Sequence, residues 1–209
     1  MKTMRTKLSR APQRGSHDPE TIRAILDEAL IAHVAWVHDG RPTVIPTLIA
    51  RDGDHVLIHG SSASRTIRGL RQGLEACIEV THVDGLVLAR SAFHHSINYR
   101  SAILYGTLEE VEDKAHALEV FTEKLIPGRW EHVRWPTPQE LKGTAALAMK
   151  IEEGSAKIRS GPPVDDEEDY ELDTWAGVVP VARAFGAPQP DPRLQTGVAL
   201  PAHVAALQG

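Results

Sequence analysis

The chain has 209 residues, of which 42% are hydrophobic and 24% charged, a composition typical of a folded protein with room for one substantial core. Its formal net charge of -5 provides no general attraction for nucleic acid or for an anionic membrane. No apolar stretch reaches the roughly 20 residues of a membrane span, and the basic start lacks the apolar core of a signal peptide, so we expect a cytoplasmic protein. Cys77 is the single cysteine, which excludes an intrachain disulfide and a cysteine-based zinc site.

Changes in composition divide the chain into three regions. Residues 1–17 form a basic arm without acidic residues, and its five cations are Lys2, Arg5, Lys7, Arg10 and Arg14. We interpret this arm as a flexible start or as a strap across a partner subunit, because the acidic total charge disfavours nucleic-acid binding. Residues 18–182 carry the patterns of one folded domain. Residues 183–209 are spaced by prolines and predict an extended C-terminal tail.

Helix signals occur at four places. Asp18-Pro19-Glu20 combines a capping residue, a proline at the first helical position and an acidic first turn, which predicts a helix that ends near residue 31. Serine caps predict a second helix over residues 64–72. Apolar residues at helical spacing predict a third over residues 112–125, and a Thr-Pro pair begins a short fourth helix over residues 137–143.

Short strands with tight turns dominate the rest of the domain. Alternating or apolar patterns predict strands around residues 34–36, 43–50, 55–59, 75–81, 86–89, 102–108 and 145–151. Asp39-Gly40 predicts a hairpin turn, and Val83-Asp84-Gly85 predicts another turn. Residues 93–101 interrupt the pattern with polar groups, which favours a site there. The fold class predicted by this order is mainly β (α+β), a barrel or a sandwich.

The strongest chemical signal is the stretch of residues 55–71, where an apolar strand runs into Gly60 and a serine cluster. Ser61 and Ser64 offer hydroxyl donors, and Arg65 offers a planar fork of donors that fits an oxygen-rich anion. A helix that begins at this point adds free amides. The stretch therefore indicates a phosphate-binding loop, with an ordinary capped strand-to-helix loop as the alternative. It matches neither the dinucleotide GxGxxG pattern nor the P-loop.

Other residues narrow the chemistry further. Pro46 lies inside a predicted strand, and its missing N–H indicates an edge, a bulge or a place where a ligand meets the backbone. The eleven histidines predict no zinc or iron site, because no pair has helical i, i+4 spacing with a glutamate between its members. A haem needs only one histidine and stays open. The GxSxG elbow of one hydrolase class is absent.

Seven segments share one resemblance, and they are Arg10-Ala11-Pro12, residues 42–46, His59-Gly60-Ser61, Ser64-Arg65, residues 83–91, Asn98-Tyr99-Arg100-Ser101 and residues 175–180. They resemble the pyridoxamine 5'-phosphate oxidase-like superfamily of FMN-binding split barrels, nearest the branch of the nitroimidazole-resistance flavoproteins. The resemblance covers residues 8–182. It implies a six-stranded split β-barrel with flanking helices, and a homodimer that holds two FMN molecules at the subunit interface.

The resemblance also implies a set of cofactor-binding residues, which comprises Pro46, Thr47, His59, Gly60, Ser61, Ser64, Arg65, Asn98, Arg100, Ser101 and Trp175. Ser64 and Arg65 match the family's phosphate-binding serine and basic residue, and Arg100 matches the start of a strand near the cofactor. An FMN phosphate needs cations, which Arg65 together with Arg100 or Arg68 would supply.

Three further matches concern the flavin ring. Pro46 and Thr47 match the strand whose backbone faces the isoalloxazine. Trp175 resembles a tryptophan that reaches the flavin from the other subunit. His59 matches a histidine near the ring, where a catalytic role would be hydrogen bonding or proton donation.

Two departures bear on the reaction. Thr66 stands where the true oxidases carry a second basic residue, and no arginine suited to pyridoxine phosphate lies near Trp175, so vitamin B6 oxidation is not expected. The resemblance favours an FMN-dependent oxidoreductase that passes electrons from a nicotinamide donor to a small acceptor such as a nitroaromatic or a quinone. The alternative is a non-catalytic flavin- or haem-binding protein of the same fold, and a deazaflavin in place of FMN also stays open.

Overall fold

Two antiparallel sheets form the body of the protein. The computed structural model describes residues 1–208, and Gly209, the last residue of the predicted tail, lies outside the described residues. Among these residues the strands are β1 (Gly15–Ser16), β2 (Ile31–His38), β3 (Arg41–Leu48), β4 (Ala50–Asp52), β5 (His55–Ser61), β6 (Glu75–Leu88), β7 (Ser96–Thr107), β8 (Glu109–Glu110), β9 (Thr144–Lys150), β10 (Glu153–Arg159) and β11 (Gly177–Pro180). The first sheet has the order β1-β10-β7-β6-β2-β3, with β11 paired to β6, and the second has the order β4-β5-β9-β8.

Helices are few and short. They are α1 (Pro19–Glu28), α2 (Arg65–Leu70), α3 (Lys114–Leu125), α4 (Pro138–Gly143) and α5 (Ala202–Ala205), and single 3₁₀ turns cover Pro12–Arg14, Ala92–His94, Trp130–His132, Glu167–Glu171 and Ala206–Gln208. The cap of α1 is the one that the sequence predicts, because the Asp18 carboxylate accepts a hydrogen bond from the Thr21 N–H at 2.9 Å. The second predicted helix forms as well, although it ends earlier than residue 72.

The β2–β3 hairpin shows how turn chemistry sets the register. Asp39 and Gly40 have φ angles of 48° and 72°, which is the geometry of the two-residue turn that Asp-Gly favours. This turn pairs Val37 with Pro42 and His33 with Pro46. β3 then ends the sheet as an edge strand, so the edge position is the one of the three alternatives for Pro46 that the structure shows.

The β6–β7 hairpin is longer than the sequence predicts. Residues 83–85 form an irregularity within β6 and not a turn, because the register shifts there while pairing with β7 continues to Val87 and Ser96. Residues 75–81 and 86–89 therefore belong largely to one strand. The prediction that Asn98 and Arg100 lie between strands is also wrong, since both residues are inside β7.

One core joins the two sheets. It contains Val34 and Ile78 of the first sheet and Ile58 and Leu147 of the second, all essentially inaccessible to solvent. Helix α1 closes one end of this core with Ile22, which is also fully buried. Because both sheets contribute to the same interior, the prediction of a mainly β split barrel with flanking helices is confirmed.

The chain termini differ from their predicted form. The basic arm is not free, because Gly15–Ser16 pairs with β10 and the Gly154 N–H donates to the Met1 carbonyl at 3.2 Å. Strand β10 itself was not predicted, since its Gly, Ser, Ala and Lys residues have low strand preference. The tail has no helix or strand from residue 181 to residue 201, but α5 and a 3₁₀ turn cover residues 202–208 of the predicted extended tail. None of the helices in the described part of the chain has the length and apolarity needed to cross a membrane.

Candidate functional site

The predicted phosphate loop is a well-defined connection between β5 and α2. The Ser64 side chain caps α2 by accepting a hydrogen bond from the Ile67 N–H at 3.2 Å. Two backbone bonds of 2.9 Å fix the loop, one from the Ser62 N–H to the Gly143 carbonyl and one from the Ser64 N–H to the Ser61 carbonyl. The hydroxyl of Ser61 stays at the surface beside this frame. Hydrogen bonds thus fix the backbone of the loop that carries these serines.

Two cations beside this loop have no counter-charge. The side chains of Arg65 and Arg68 are exposed, and neither forms a hydrogen bond or ion pair with a residue between 1 and 208. Arg71, one turn further, instead lies 3.0 Å from Glu110, between Nε and Oε2. Arg65 and Arg68 are therefore the cations of this region that remain available to an anionic ligand.

His59 lies near the end of strand β5, where its ring is partly buried. Its Nδ1 atom is buried without a hydrogen-bond partner among the described residues. Its ring packs against the ring of Phe121 on α3, with 4.4 Å between centroids. Burial lowers the pKa of His59, so the imidazole is neutral at neutral pH. A neutral imidazole with an unused nitrogen can bind a ligand through either a hydrogen bond or a coordinate bond.

The end of β3 lies on the same side of the molecule as His59. Leu48 packs against the small cluster that includes Leu57 and Phe121. Leu57 and His59 share one face of β5 because they are two residues apart, and Pro46 shares the Leu48 face of β3 for the same reason. Thr47 is half-buried and points to the opposite face of β3. The fold therefore brings the predicted ring-facing strand toward His59.

Asn98 and Ser101 bind their own chain. The Asn98 side chain is buried, accepts a hydrogen bond from Arg159 and donates one to the Gly161 carbonyl at 3.1 Å. The Ser101 hydroxyl donates to the Lys157 carbonyl at 3.4 Å. Both predicted ligands thus connect β7 to β10 and the turn that follows it.

Arg100 is already neutralised by two carboxylates. Its Nε and Nη2 atoms donate to Asp84 at 2.9 and 2.8 Å, and its Nη1 and Nη2 atoms donate to Glu28. These contacts use four of its five N–H groups. Hydrogen bonding to Asp84 and Glu28 raises the pKa of Arg100 above its ordinary value. The sequence left Arg100 and Arg68 open as the second cation for the phosphate. Because Arg100 is already paired, Arg68 is the better candidate of the two.

Trp175 is exposed at the surface of the single chain. Its side chain is 68% exposed, and its ring lies over Gly177, where a Cβ atom would approach the ring to 3.0 Å. Strand β11, which begins at Gly177, fixes this segment against β6. The ring is thus exposed to solvent in the single chain.

Sequence reasoning missed two contributions to this region. Phe121 has helical spacing, which predicts a core position but gives no sign that it contacts His59. The Glu28–Arg100–Asp84 network joins residues that are 72 and 16 positions apart, and no local pattern signals such pairs. Both features depend on how the helices pack against the sheets.

Fold and site together define a split-barrel protein with a candidate phosphate loop between a strand and a helix. The family model for pyridoxamine 5'-phosphate oxidase matches residues 18–158, more than half of the chain. The chain belongs to this pyridoxamine 5'-phosphate oxidase-like family, which confirms the family resemblance.

Solved structures include two relatives of nearly the same length. The flavocytochrome Anf3 from Azotobacter vinelandii is 42% identical, with a TM-score of 0.92 over 98% of this chain and 96% of the other. An FAD and heme binding protein from Mycobacterium smegmatis is 40% identical, with a TM-score of 0.91 over 94% of this chain and 98% of the other.

A more distant structure belongs to the branch that the sequence resembles. It is a candidate 5-nitroimidazole antibiotic resistance protein from Bacteroides thetaiotaomicron, 20% identical with a TM-score of 0.58 over 69% of this chain and 86% of the other. At this identity the match shows the shared fold alone. No curated protein sequence matches the chain.

Proposed function

We propose that this protein is a flavin-dependent oxidoreductase whose flavin phosphate binds beside residues 61–68. The observation that carries the proposal is the pair of unpaired cations, Arg65 and Arg68, next to the ordered hydroxyls of Ser61 and Ser64. Guanidinium groups form short, charge-assisted hydrogen bonds with phosphate oxygens, and the hydroxyls add donors. The family membership supports the same ligand class.

The flavin is FAD in this proposal, although the sequence resemblance predicts FMN. One relative that aligns over almost the whole chain is named as an FAD and heme binding protein. The other is named as a flavocytochrome, a class of protein that carries both a flavin and a haem. The local phosphate-binding groups suit either flavin, since both carry a phosphate on the ribityl chain.

Residues of this chain would position the flavin and set the charge around it. A bound flavin supplies electron transfer between a nicotinamide donor and a small acceptor such as a quinone or nitroaromatic. Arg65 and Arg68 hold the phosphate, and Pro46 presents a backbone without an N–H toward the ring. His59, kept neutral by burial, offers one donor or one acceptor.

Absorption spectroscopy of the purified protein tests this function. We expect a flavin spectrum, release of FAD on denaturation as identified by chromatography, and bleaching by NADH or NADPH without oxygen. Release of FMN would correct the flavin but keep the function. A colourless protein that also fails to take up added FAD or FMN would overturn the proposal. If neither NADH nor NADPH reduces the bound flavin, the protein binds flavin but does not use a nicotinamide donor.

A second candidate function is haem binding beside the flavin, and the two relatives of 40% identity or more favour it. His59 has a buried ring nitrogen without a hydrogen-bond partner among the described residues, and its ring packs against that of Phe121. A histidine with one hydrogen bond can also bind iron through its other nitrogen. We choose His59 as the iron ligand to test because its unused nitrogen lies beside the proposed flavin site. A Soret band in the purified or haem-reconstituted protein supports this function, and its absence after reconstitution argues against it.

The partner in this proposal is a second copy of the chain, as the resemblance predicts. An apolar groove of about 540 Å³ lies on the outer face of the first sheet and includes Ala35, Pro42 and Cys77. Its rim carries Val37 and Val44, which are 59% and 61% exposed. Burial of such residues favours association by about 25 cal/mol for each Å² of apolar surface removed from water.

Size-exclusion chromatography with light scattering tests the dimer. We expect twice the chain mass for the wild type and a shift toward the monomer for Val44→Glu, which places a charge in the groove. Val164→Glu is the matched control, because Val164 is 71% exposed and does not line the groove. A wild-type monomer, or a Val44→Glu dimer as stable as the wild type, would contradict this interface.

A further inference from the structure

The C-terminal tail is a strap that is held at its two ends. At its start, the Arg183 guanidinium donates to the Glu28 carbonyl at 3.3 Å. At its far end, His203 of α5 lies on the turn that follows α3. Between these points, residues 187–200 form no hydrogen bond or ion pair with the folded domain among the described contacts. The position of residues 187–200 therefore depends on how the segments before and after them are attached.

The far anchor is a stack of two imidazole rings. The rings of His132 and His203 are nearly parallel, with 13° between their planes and 4.7 Å between their centroids. The Cβ atom of His203 lies 3.8 Å from the position that a Cβ at Gly128 would occupy, so a side chain at Gly128 would contact it. The Nε2 atom of His203 is buried without a hydrogen-bond partner among the described residues. When His203 is stacked on His132, its Nε2 atom thus loses its hydrogen bond to water and gains none from the described residues.

The charged groups around His203 disfavour its protonated form. They are His132 and Arg129 of the turn and Glu123 of α3. Burial lowers the pKa of His203, the nearby His132 and Arg129 lower it further, and the Glu123 carboxylate opposes them. The Glu123 carboxylate already accepts hydrogen bonds from the backbone N–H groups of Gly128 and Trp130, at 2.5 and 2.7 Å. No hydrogen bond joins Glu123 to His203 among the described residues.

We propose that the His132–His203 stack is a proton-operated latch, which anchors the C-terminal strap while the His203 imidazole is neutral and releases it when His203 takes up a proton. A protonated His203 would bury an unpaired N–H cation against the ring of His132. Undocking returns the His203 ring to water and removes this cost. Arg129 and nine residues of the strap between Pro188 and Val204 line a cavity of about 470 Å³ that undocking would open.

The direction and size of the pH effect follow from proton linkage. The pKa of His203 is lower in the docked state than in the undocked state. The docking equilibrium is therefore independent of pH above the ordinary histidine pKa, and docking weakens as the pH falls below that value. One proton weakens docking by up to about tenfold for each pH unit below about 6.5. The loss stops once the pH falls below the pKa of the docked ring.

Hydrogen exchange of the full-length protein with its bound cofactors tests the latch. The probes are the amides of Val204 and Ala205, which donate to the Pro201 carbonyl at 3.0 and 3.1 Å when α5 is formed. Rates are corrected for the pH dependence of exchange in an unfolded chain. We expect protection to be constant above about pH 6.5 and to fall by up to about tenfold one pH unit lower. His203→Phe keeps a flat ring without a proton site and should give pH-independent protection.

Two results would overturn the latch. One is pH-independent protection in the wild type, and the other is an equal pH dependence in the wild type and His203→Phe. If the variant is unprotected at every pH, nuclear magnetic resonance titration of His203 in the wild type decides. Titration below about pH 6.5 together with loss of tail protection supports the latch, and titration at or above that value rejects it. His55→Phe, a change of an exposed histidine on β5, is the control that should behave as the wild type.

Discussion

The guanidinium of Arg100 forms two parallel hydrogen bonds with the carboxylate of Asp84, of 2.9 Å from Nε and 2.8 Å from Nη2. The same guanidinium also binds Glu28, the last residue of α1. One side chain on β7 therefore links the irregular part of β6 to the end of a helix. This relationship makes Arg100 a structural connector in the single chain, whatever it contacts when a cofactor is bound.

Arg100→Gln should lower the free energy of unfolding by about 1 kcal/mol, because partly exposed ion pairs contribute up to about 1 kcal/mol each and a paired geometry lies at the upper end of that range. Urea unfolding at neutral pH measures the change. Arg193→Gln is the control, since Arg193 is exposed and has no ion pair in the described part of the chain. Equal stability of the two variants would show that the Arg100 network contributes nothing measurable.

The Arg100 network should also lose its effect in acid. Hydrogen bonding from Arg100 lowers the pKa of Glu28 below its ordinary value of 4.5. The folded state thus binds the proton more weakly than the unfolded chain, so the contribution of Glu28 is present above pH 4.5 and is lost as the pH falls through the lowered pKa. The stability difference between wild type and Arg100→Gln should shrink over this range. A constant difference down to the acid transition would contradict the assignment to Glu28.

Arg65→Gln should weaken flavin binding by about 10- to 100-fold, because a hydrogen bond to a charged group contributes about 1.5–3 kcal/mol. Flavin fluorescence titration of the apoprotein measures the dissociation constant. Arg71→Gln is the matched control at the other end of α2, since Arg71 is already paired with Glu110. If Arg65→Gln binds flavin as tightly as the wild type, Arg65 does not bind the phosphate and Arg68 is the remaining candidate.

His59→Ala should abolish the Soret band of a haem-loaded protein, while His55→Ala on the same face of β5 should leave it intact. The physical reason is that the His59 ring has a buried, unused nitrogen and a neighbouring aromatic ring, whereas His55 is exposed. Haem titration followed by absorbance measures both variants. If His59→Ala keeps the Soret band but weakens flavin binding, His59 faces the flavin and another residue binds iron.

Gly154→Ala should destabilise the fold by about 1–3 kcal/mol, the usual range for an overpacked position. A Cβ atom at Gly154 would lie 2.6 Å from the Ile103 carbonyl oxygen and 2.6 Å from a methyl group of Leu104. Gly143→Ala is the control, because nothing lies within 4 Å of its Cβ position. We expect that change to be neutral or stabilising by up to about 1 kcal/mol. Thermal unfolding of both variants provides the comparison.

Local chemistry accounts for what was predictable in this fold. The Asp39-Gly40 turn, the Asp18 and Ser64 caps and the edge position of Pro46 all follow from the preferences of single residues. The structure confirms each of them. Strand β10 and the continuous β6 could not be predicted, because their pairing with β7 outweighs weak strand preference and an apparent Asp-Gly turn.

The candidate site was predictable to a smaller extent. The phosphate loop is continuous in sequence, so its glycine, serines and arginine are visible as a pattern. The pairing of Arg100 with two carboxylates cannot be read from the sequence, because Glu28 and Asp84 reach Arg100 only in the folded chain. The availability of Arg68 depends in the same way on which acidic residues the fold places nearby. The roles of these residues in cofactor binding stay predictions.

The first sheet ends on one side in β3 and on the other in β1, which has two residues. Pro42 and Pro46 are four positions apart in β3, so both missing N–H groups lie along the same, outward edge. An incoming strand would find two gaps in the ladder on the β3 border, while the N-terminal arm already occupies part of the β10 border. This sheet is therefore a poor template for growth by strand addition, and the protein should resist aggregation into fibres even where its apolar face is exposed.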